Sequence, residues 1–317
     1  MAMTQTAPKL STVIGATLPW KHLAELVNGL ELGNNALLCL TAEKRIALCN
    51  PSALRLFSRD QVSLRNALLT SLIVENEKNL LTHTFEQIRK GPFPASKSFP
   101  KAALSARKPN GILLPLEGSL STLVLGSSHG YSLLLRDITE QIRSEERMHY
   151  LATHDTLTGL PNRLAMADRL EAAIRRHRRN AARFALLFID LDDFKPINDQ
   201  FGHSIGDAVL KACASRLQKA SRESDSVARL GGDEFVIILE YLKSEEELEI
   251  ISRRIKTLLS GTPIRVGPHR IYIEASLGSA QFPSDGQSAM ELLGQADSDM
   301  YVQKREHHRN LANHRLS

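Results

Sequence analysis

The chain has 317 residues, of which 42% are hydrophobic, 24% charged and 5% aromatic, with a formal net charge of +5. A domain takes about 100–200 residues, so the length suggests two domains, and a composition near the globular average excludes a disordered, collagen-like or disulfide-stapled protein. Three cysteines are present (Cys39, Cys49 and Cys213), none in a C-x-x-C pair, which fits a reducing compartment and argues against a cysteine zinc site. No apolar stretch approaches the about 18–20 residues that span a bilayer. The first ten residues carry one lysine and no apolar core of a signal peptide. The expectation is a cytoplasmic chain with no membrane span.

Residues 1–20 hold turn formers with little periodicity and read as a loosely docked arm. Residues 36–40 and 45–49 are short β-like runs around a polar turn at 41–44, the pattern of a hairpin. Asn50 then precedes Pro51, an N-cap followed by proline at a helix start, and Ala53, Leu54, Leu56 and Phe57 give that helix an apolar face. A leucine-rich middle leads to a helix over 79–90. Three strand-like runs follow, at 96–104, 112–125 and 131–136, broken by Pro109-Asn110-Gly111 and by residues 126–130. Two strands, two helices and three strands make an α+β pattern with antiparallel pairing.

The phrase CNPSALRLFS (residues 49–58) resembles the strand-to-helix junction of PAS sensor domains, and LLLRDITEQ (133–141) resembles their last strand running into an exit helix. The resemblance implies a PAS-like sensor over 21–136. His83 on a helix and Cys39 and Cys49 on apolar strands read as surface or core residues, so the sensed ligand is not identified.

Residues 137–153 are charged and helix-prone, with apolar points at Ile138, Ile142, Met148 and Leu151. They read as a signalling helix linker, either a spacer or a short parallel coiled coil. Beyond Thr153 the rhythm becomes helix, strand, helix, helix, strand. Leu164, Met166, Leu170 and Ile174 predict an amphipathic helix, whose end carries Arg175, Arg176, His177, Arg178, Arg179 and Arg183. That run reads as a solvated helix face, since cations are favoured in a last turn and no interleaved aromatics or DNA-reading motif point to nucleic acid. Residues 184–189 form a continuous apolar run, as in a fully buried strand. A helix over 205–220, a hairpin of 227–229 and 235–240, a helix over 248–259, a strand over 271–280 and a helix over 289–304 complete an α/β domain with a central sheet.

The buried run ends in carboxylates. Strand alternation puts Asp190 and Asp192 on one face and Leu191 on the other. Acids that close an apolar strand are costly to desolvate unless a cation compensates them, and hard oxygen ligands suit Mg²⁺. In Arg229-Leu230-Gly231-Gly232-Asp233-Glu234-Phe235, two glycines permit a tight turn and two acids follow it. A hairpin carrying acids beside a strand ending in an acid has the makings of a two-metal phosphoryl-transfer site, although Gly-Gly-Asp taken alone is as readily the turn of an ordinary hydrophilic hairpin.

Five phrases in order resemble the GGDEF family of diguanylate cyclases: HDTLTGLPNR (154–163), IDLDDFKPINDQFGHSIGD (189–207), RLGGDEF (229–235), ASLGSAQFP (275–283) and ADSDMYVQK (296–304). The resemblance places a cyclase domain at 154–317, with a nucleotidyl-cyclase-like fold. It implies condensation of two GTP into cyclic di-GMP and two pyrophosphates, with two Mg²⁺ (or Mn²⁺) ions per active site. Asp190, Asp233 and the Leu191 carbonyl would hold metal, and Glu234 would assist the metals or help deprotonate the attacking 3′-hydroxyl. Lys195, Arg229 and Lys304 would meet the triphosphate. Asn198 and Asp207 would read the guanine edge, with His203 in the same pocket. Asp155 and Arg163 would form a structural ion pair. Arg222 and Asp225 match the spacing of the family's inhibitory site for the product. Arg309 falls one residue late against the family's pattern and is given no role.

One domain binding one GTP implies a homodimer, which favours the coiled-coil reading of the linker. Two alternatives stay open: a catalytically idle cyclic di-GMP receptor using Arg222 and Asp225, and a basic protein that binds nucleic acid.

Overall fold

The computed structural model describes residues 24, 25, 27, 33–91, 94–125, 128–180 and 182–314. The arm expected at 1–20 and the turn glycine Gly126 lie outside the described residues. The chain divides into two compact units, Met1–Glu145 and Glu146–Ser317. Among the described residues no helix is long and apolar enough to cross a membrane.

In the first unit, strands β1 (Asn35–Thr41) and β2 (Ile46–Cys49) form the expected hairpin. Helix α1 (Pro51–Phe57) starts where Asn50 accepts a hydrogen bond from the Ala53 N–H at 3.0 Å, with Pro51 in the first turn. Helices α2 (Gln61–Leu64) and α3 (Lys78–Lys90) follow, and then strands β3 (Ser96–Arg107), β4 (Leu113–Leu125) and β5 (Ser128–Asp137). The five strands make one antiparallel sheet in the order β2-β1-β5-β4-β3. Alternation along β1 sends Ala36, Leu38 and Leu40 to a core shared with Phe57, Leu81 and Phe85, and sends Leu37 and Cys39 to the opposite face beside Val27. His83 lies exposed on α3 against Gln87, and burial pushes the Cys39 thiol up to about 12, so it packs as an apolar group.

Helix α4 (Thr139–Thr153) contains no buried residue, and Met148 and Leu151 are exposed. Helix α5 (Arg163–Asn180) turns Met166, Leu170, Ala173, Ile174 and His177 inward. Leu164 falls off that stripe and is exposed, contrary to the expected apolar face. The arginine run is not all solvated either: Arg176 and the buried His177 both reach Glu240, and Arg178 donates to the Gln287 carbonyl.

The second sheet is antiparallel, in the order β11-β6-β8-β7, from β6 (Phe184–Asp192), β7 (Ser226–Gly231), β8 (Glu234–Leu239) and β11 (Glu274–Phe282). Every residue of β6 is buried. Its odd positions, Ala185 to Leu191, join a core that includes Val209, Leu210 and Ile251, carried by helices α7 (His203–Ala220) and α8 (Glu245–Ser260). Phe184, Leu186 and Phe188 face the other way, toward α5 and helix α9 (Ala289–His314). Asp190 and Asp192 continue that second face.

Two elements differ from the sequence reading. Residues 194–201, given no element in the sequence reading, form helix α6 (Phe194–Phe201); Pro196 stands in its first turn, where no intrahelical N–H partner is lost. The strand expected over 271–280 is split: His269–Ile271 (β10) pairs with Ile264–Val266 (β9) in a separate ribbon, and β11 starts only at Glu274.

Gly278 sets how closely α9 lies on β11. A Cβ there would meet the Ala296 carbonyl oxygen and the Met300 nitrogen, both at 2.1 Å, so backbone rather than a flexible side chain would have to give. Gly278→Ala is expected to destabilise the second unit by about 1–3 kcal/mol, read from denaturant midpoints. Gly294→Ala, where nothing stands within 4 Å, is the control and should be neutral or slightly stabilising.

Candidate active site

The site is built where β6 ends beside the β7–β8 hairpin. Asp190 pairs across the sheet with Glu234 on one side and Ser276 on the other. The Leu191 N–H donates to the Asp233 carbonyl at 3.2 Å, tying the end of the strand to the hairpin turn. Gly231 (φ 148°) and Gly232 (φ 52°) take backbone conformations that side chains disfavour, and so bring Asp233 and Glu234 back over the strand end.

Two of the acids at this corner have little access to water. Asp190 is 8% exposed, and Asp192 is 5% exposed and accepts from the Ser276 hydroxyl at 2.8 Å. Burial pushes the Asp190 carboxyl above its ordinary range; Lys304 opposes that shift, while Asp233 and Asp192 add to it. The Lys304 ammonium, from α9, sits 2.5 Å from Asp190 Oδ1. Burial works against that ammonium, yet Asp190, Asp192 and Asp233 together hold its pKa above the usual lysine value. Glu234 is raised by burial, and Arg163, whose Nη2 lies 3.5 Å from it, pulls the other way.

Among the described residues no group of three or more His, Cys, Asp and Glu is arranged to hold a metal unaided. Mg²⁺ seldom asks for such a cage; it binds through one or two carboxylates, keeps water, and takes the rest of its shell from phosphate oxygens. Asp190, Asp233 and the Leu191 carbonyl are a hard oxygen set of that kind, and a cation already compensates Asp190. The residues therefore fit a divalent ion that takes part of its oxygen shell from elsewhere.

The pairing of Asp155 with Arg163 is not found. Asp155 accepts from the Thr158 N–H and hydroxyl and turns to Arg229 Nη1, at 2.9 and 3.0 Å from its two oxygens. Arg163, at the first position of α5, faces Glu234 instead. Arg229 also donates from Nε and Nη2 to the Gly232 carbonyl, so its buried guanidinium runs beneath its own hairpin. The Arg229 main-chain N–H donates to the Pro161 carbonyl, a second tie between β7 and the segment that carries Asp155.

The remaining candidates occupy two places. Lys195 and Asn198 lie on α6, and His203 and Asp207 lie on the first turns of α7; Lys195, His203 and Asp207 are exposed. Arg222 and Asp225 stand at the far end of α7. Asp225 accepts from the Arg222 main-chain N–H at 2.8 Å, while the Arg222 guanidinium pairs with Glu247 at 2.9 Å. Sequence reasoning missed Arg163 against Glu234 and Ser276 against Asp192. Both lie inside the quoted phrases, but no local spacing says which distant acid each one meets.

For Asp155, burial pushes the carboxyl up, but the Thr158 and Arg229 hydrogen bonds outweigh it and hold it below the ordinary carboxylate range. A depressed folded pKa means that its stabilisation is present above the unfolded value, about 3.9, and is lost as pH falls through the lower folded one. Asp155→Asn should therefore cost about 2 kcal/mol or more at neutral pH and flatten the acid limb of the stability curve, measured by denaturation between pH 7 and pH 3.

Residues 152–310 match the family described as diguanylate cyclase, GGDEF domain, and residues 34–140 match the PAS domain. MucR of Pseudomonas aeruginosa, a bifunctional diguanylate cyclase/cyclic di-GMP phosphodiesterase, is 42% identical over 166 residues, covering 52% of this chain and 24% of that protein. Diguanylate cyclase TpbB of the same species is 41% identical over 156 residues, 49% of this chain and 36% of that one. Cyclic di-GMP phosphodiesterase PdeR of Escherichia coli is 37% identical over 168 residues, 53% and 25%. The solved GGDEF domain of TpbB is 41% identical and covers 48% of this chain and 89% of that one, with a TM-score of 0.47. The matched segment is thus about a quarter to a third of the curated relatives' length. Diguanylate cyclases of this family use divalent metal ions. With its matched segments in the order PAS then GGDEF, the chain belongs to the GGDEF diguanylate cyclase family and carries an N-terminal PAS domain.

Proposed function

We propose that the chain condenses two GTP into cyclic di-GMP with release of two pyrophosphates. The observation that carries this reading is the meeting of the buried Asp190, compensated by Lys304, with the hairpin acids Asp233 and Glu234 at one end of the sheet. A bare surface hairpin would not explain why a lysine from a distant helix is paired with the buried Asp190 beside it.

In this reading Asp190, Asp233 and the Leu191 carbonyl would hold two divalent ions. When bound, such ions neutralise phosphate charge and lower the pKa of an attacking hydroxyl. Asn198 and Asp207 hold the guanine, the carboxylate accepting from its N–H groups and the amide meeting a ring acceptor, with His203 beside them. Lys195, exposed on α6, meets triphosphate oxygens. Lys304 exchanges its contact with Asp190 for phosphate. Arg229, committed to Asp155 and Gly232, serves by keeping the hairpin in place.

The 3′-oxygen of one GTP forms a bond to the α-phosphorus of the other, the bond from that phosphorus to the pyrophosphate oxygen breaks, and the hydroxyl proton leaves. Glu234 takes that proton or supports the metal ions. A second, reciprocal attack closes the ring. Because each domain holds one nucleotide, two domains must face each other, and we assign the exposed Met148 and Leu151 of α4 to the contact between two copies. Through that helix the domain spanning 21–136 would regulate the one at 154–317. Arg222 and Asp225 bind the product and restrain turnover; Arg suits bidentate contact with a guanine edge.

Asp233→Ala should lower the rate of cyclic di-GMP formation from GTP and Mg²⁺ by about 10³-fold or more, followed by chromatography. A wild-type chain that binds cyclic di-GMP but forms neither it nor the linear intermediate, after bound product is stripped, would be a receptor instead. Arg222→Ala should raise the cyclic di-GMP concentration for half-inhibition about tenfold or more. An unchanged inhibition curve would remove the product site from Arg222.

A further inference from the structure

Gly206 is buried, and it is the fourth residue of α7, in ordinary helical conformation. Glycine is destabilising in a helix interior relative to alanine, and no positive φ calls for it here. The reason is space. A Cβ on Gly206 would stand 1.9 Å from Asn198 Oδ1 and 2.9 Å from Asn198 Cγ, with Phe194 Cζ next at 3.3 Å. The Asn198 side chain therefore lies in the notch that the absent Cβ leaves.

The notch also orients the amide. Asn198 Oδ1 points at Gly206, and a Cα–H group faces a carbonyl oxygen favourably but not an amide N–H. Oδ1 is thereby turned inward, and Nδ2 becomes the group the amide presents elsewhere. The Asn198 main chain is held as well, because its carbonyl accepts from the Gly202 N–H at 2.9 Å where α6 passes into α7. An added methyl would occupy the place of Oδ1, so the amide must leave this position for another.

We propose that Gly206 is a positioning residue for guanine selection, seating the Asn198 amide with its donor outward beside Asp207. This rests on the reading of Asn198 and Asp207 as the guanine contacts. A donor from Asn198 and an acceptor from Asp207 match the ring acceptors and N–H donors of guanine, and a displaced amide leaves a purine edge unpaired.

The test compares the full-length wild type with Gly206→Ala, Asn198→Ala and the double variant. Alanine favours the helix, so Gly206→Ala is expected to keep the wild-type melting temperature while its KM for GTP rises about tenfold, with a smaller change in kcat. Affinity for a non-reacting GTP analogue, measured by calorimetry, should weaken by the same factor. In the Asn198→Ala background, adding Gly206→Ala should change neither quantity further, because the methyl then meets no amide. Should Gly206→Ala melt lower, the double variant should recover the loss. A wild-type KM in Gly206→Ala, effects that multiply independently, or a melting loss the double variant does not recover would each overturn the proposal. A wild type that makes no cyclic di-GMP, by contrast, defeats the underlying reading.

Discussion

A carboxylate buried at the end of an apolar strand needs a cation, and the second unit is arranged around supplying one to Asp190. Strand β6 is buried from Phe184 to Asp192, so Asp190 has little water to solvate it, and two further acids share the corner. Lys304 reaches it from α9, which lies against β11 because Gly278 carries no side chain between them. The hairpin that brings Asp233 and Glu234 is braced from below by Arg229, which Asp155 holds in turn. Two of these contacts, Lys304 with Asp190 and Arg229 with Asp155, are ion pairs between residues 114 and 74 positions apart. Removing one partner leaves the other buried and unpaired, which is the expensive outcome.

An acid pocket compensated by a lysine ammonium is a poor permanent metal cage and a suitable temporary one. A lysine stem is flexible and its charge compact, so it leaves a carboxylate for a phosphate at small conformational cost. In the proposed reaction metal and nucleotide would enter together, and Lys304 compensates Asp190 in their absence.

Much of this was legible in the chain. The apolar run at 184–189 announces a buried strand, and the acids after it announce a site, because nothing else explains Asp190 and Asp192 on an inward face. Asn50 before Pro51 marks the first helix by capping chemistry alone. What was not legible is partner choice: Arg163 and Arg229 are equally cationic near the acids, and only folding shows that Arg229 goes to Asp155 and Arg163 to Glu234. Pro196 hid a helix, since a proline in a first turn looks like a breaker until the helix start is known. The split at Tyr272–Ile273 was hidden for a similar reason, because apolar alternation runs through it unbroken while the pairing partners change.

In the proposed reaction two nucleotides exchange attacks between facing sites, and the stoichiometry reports on that directly. The purified chain, stripped of bound product and incubated with GTP and Mg²⁺, should release two pyrophosphates for each cyclic di-GMP formed, with no GDP or free phosphate. Pyrophosphate and cyclic di-GMP quantified together in one time course would give this ratio. GTP left intact, or consumed to GDP and phosphate, would contradict it.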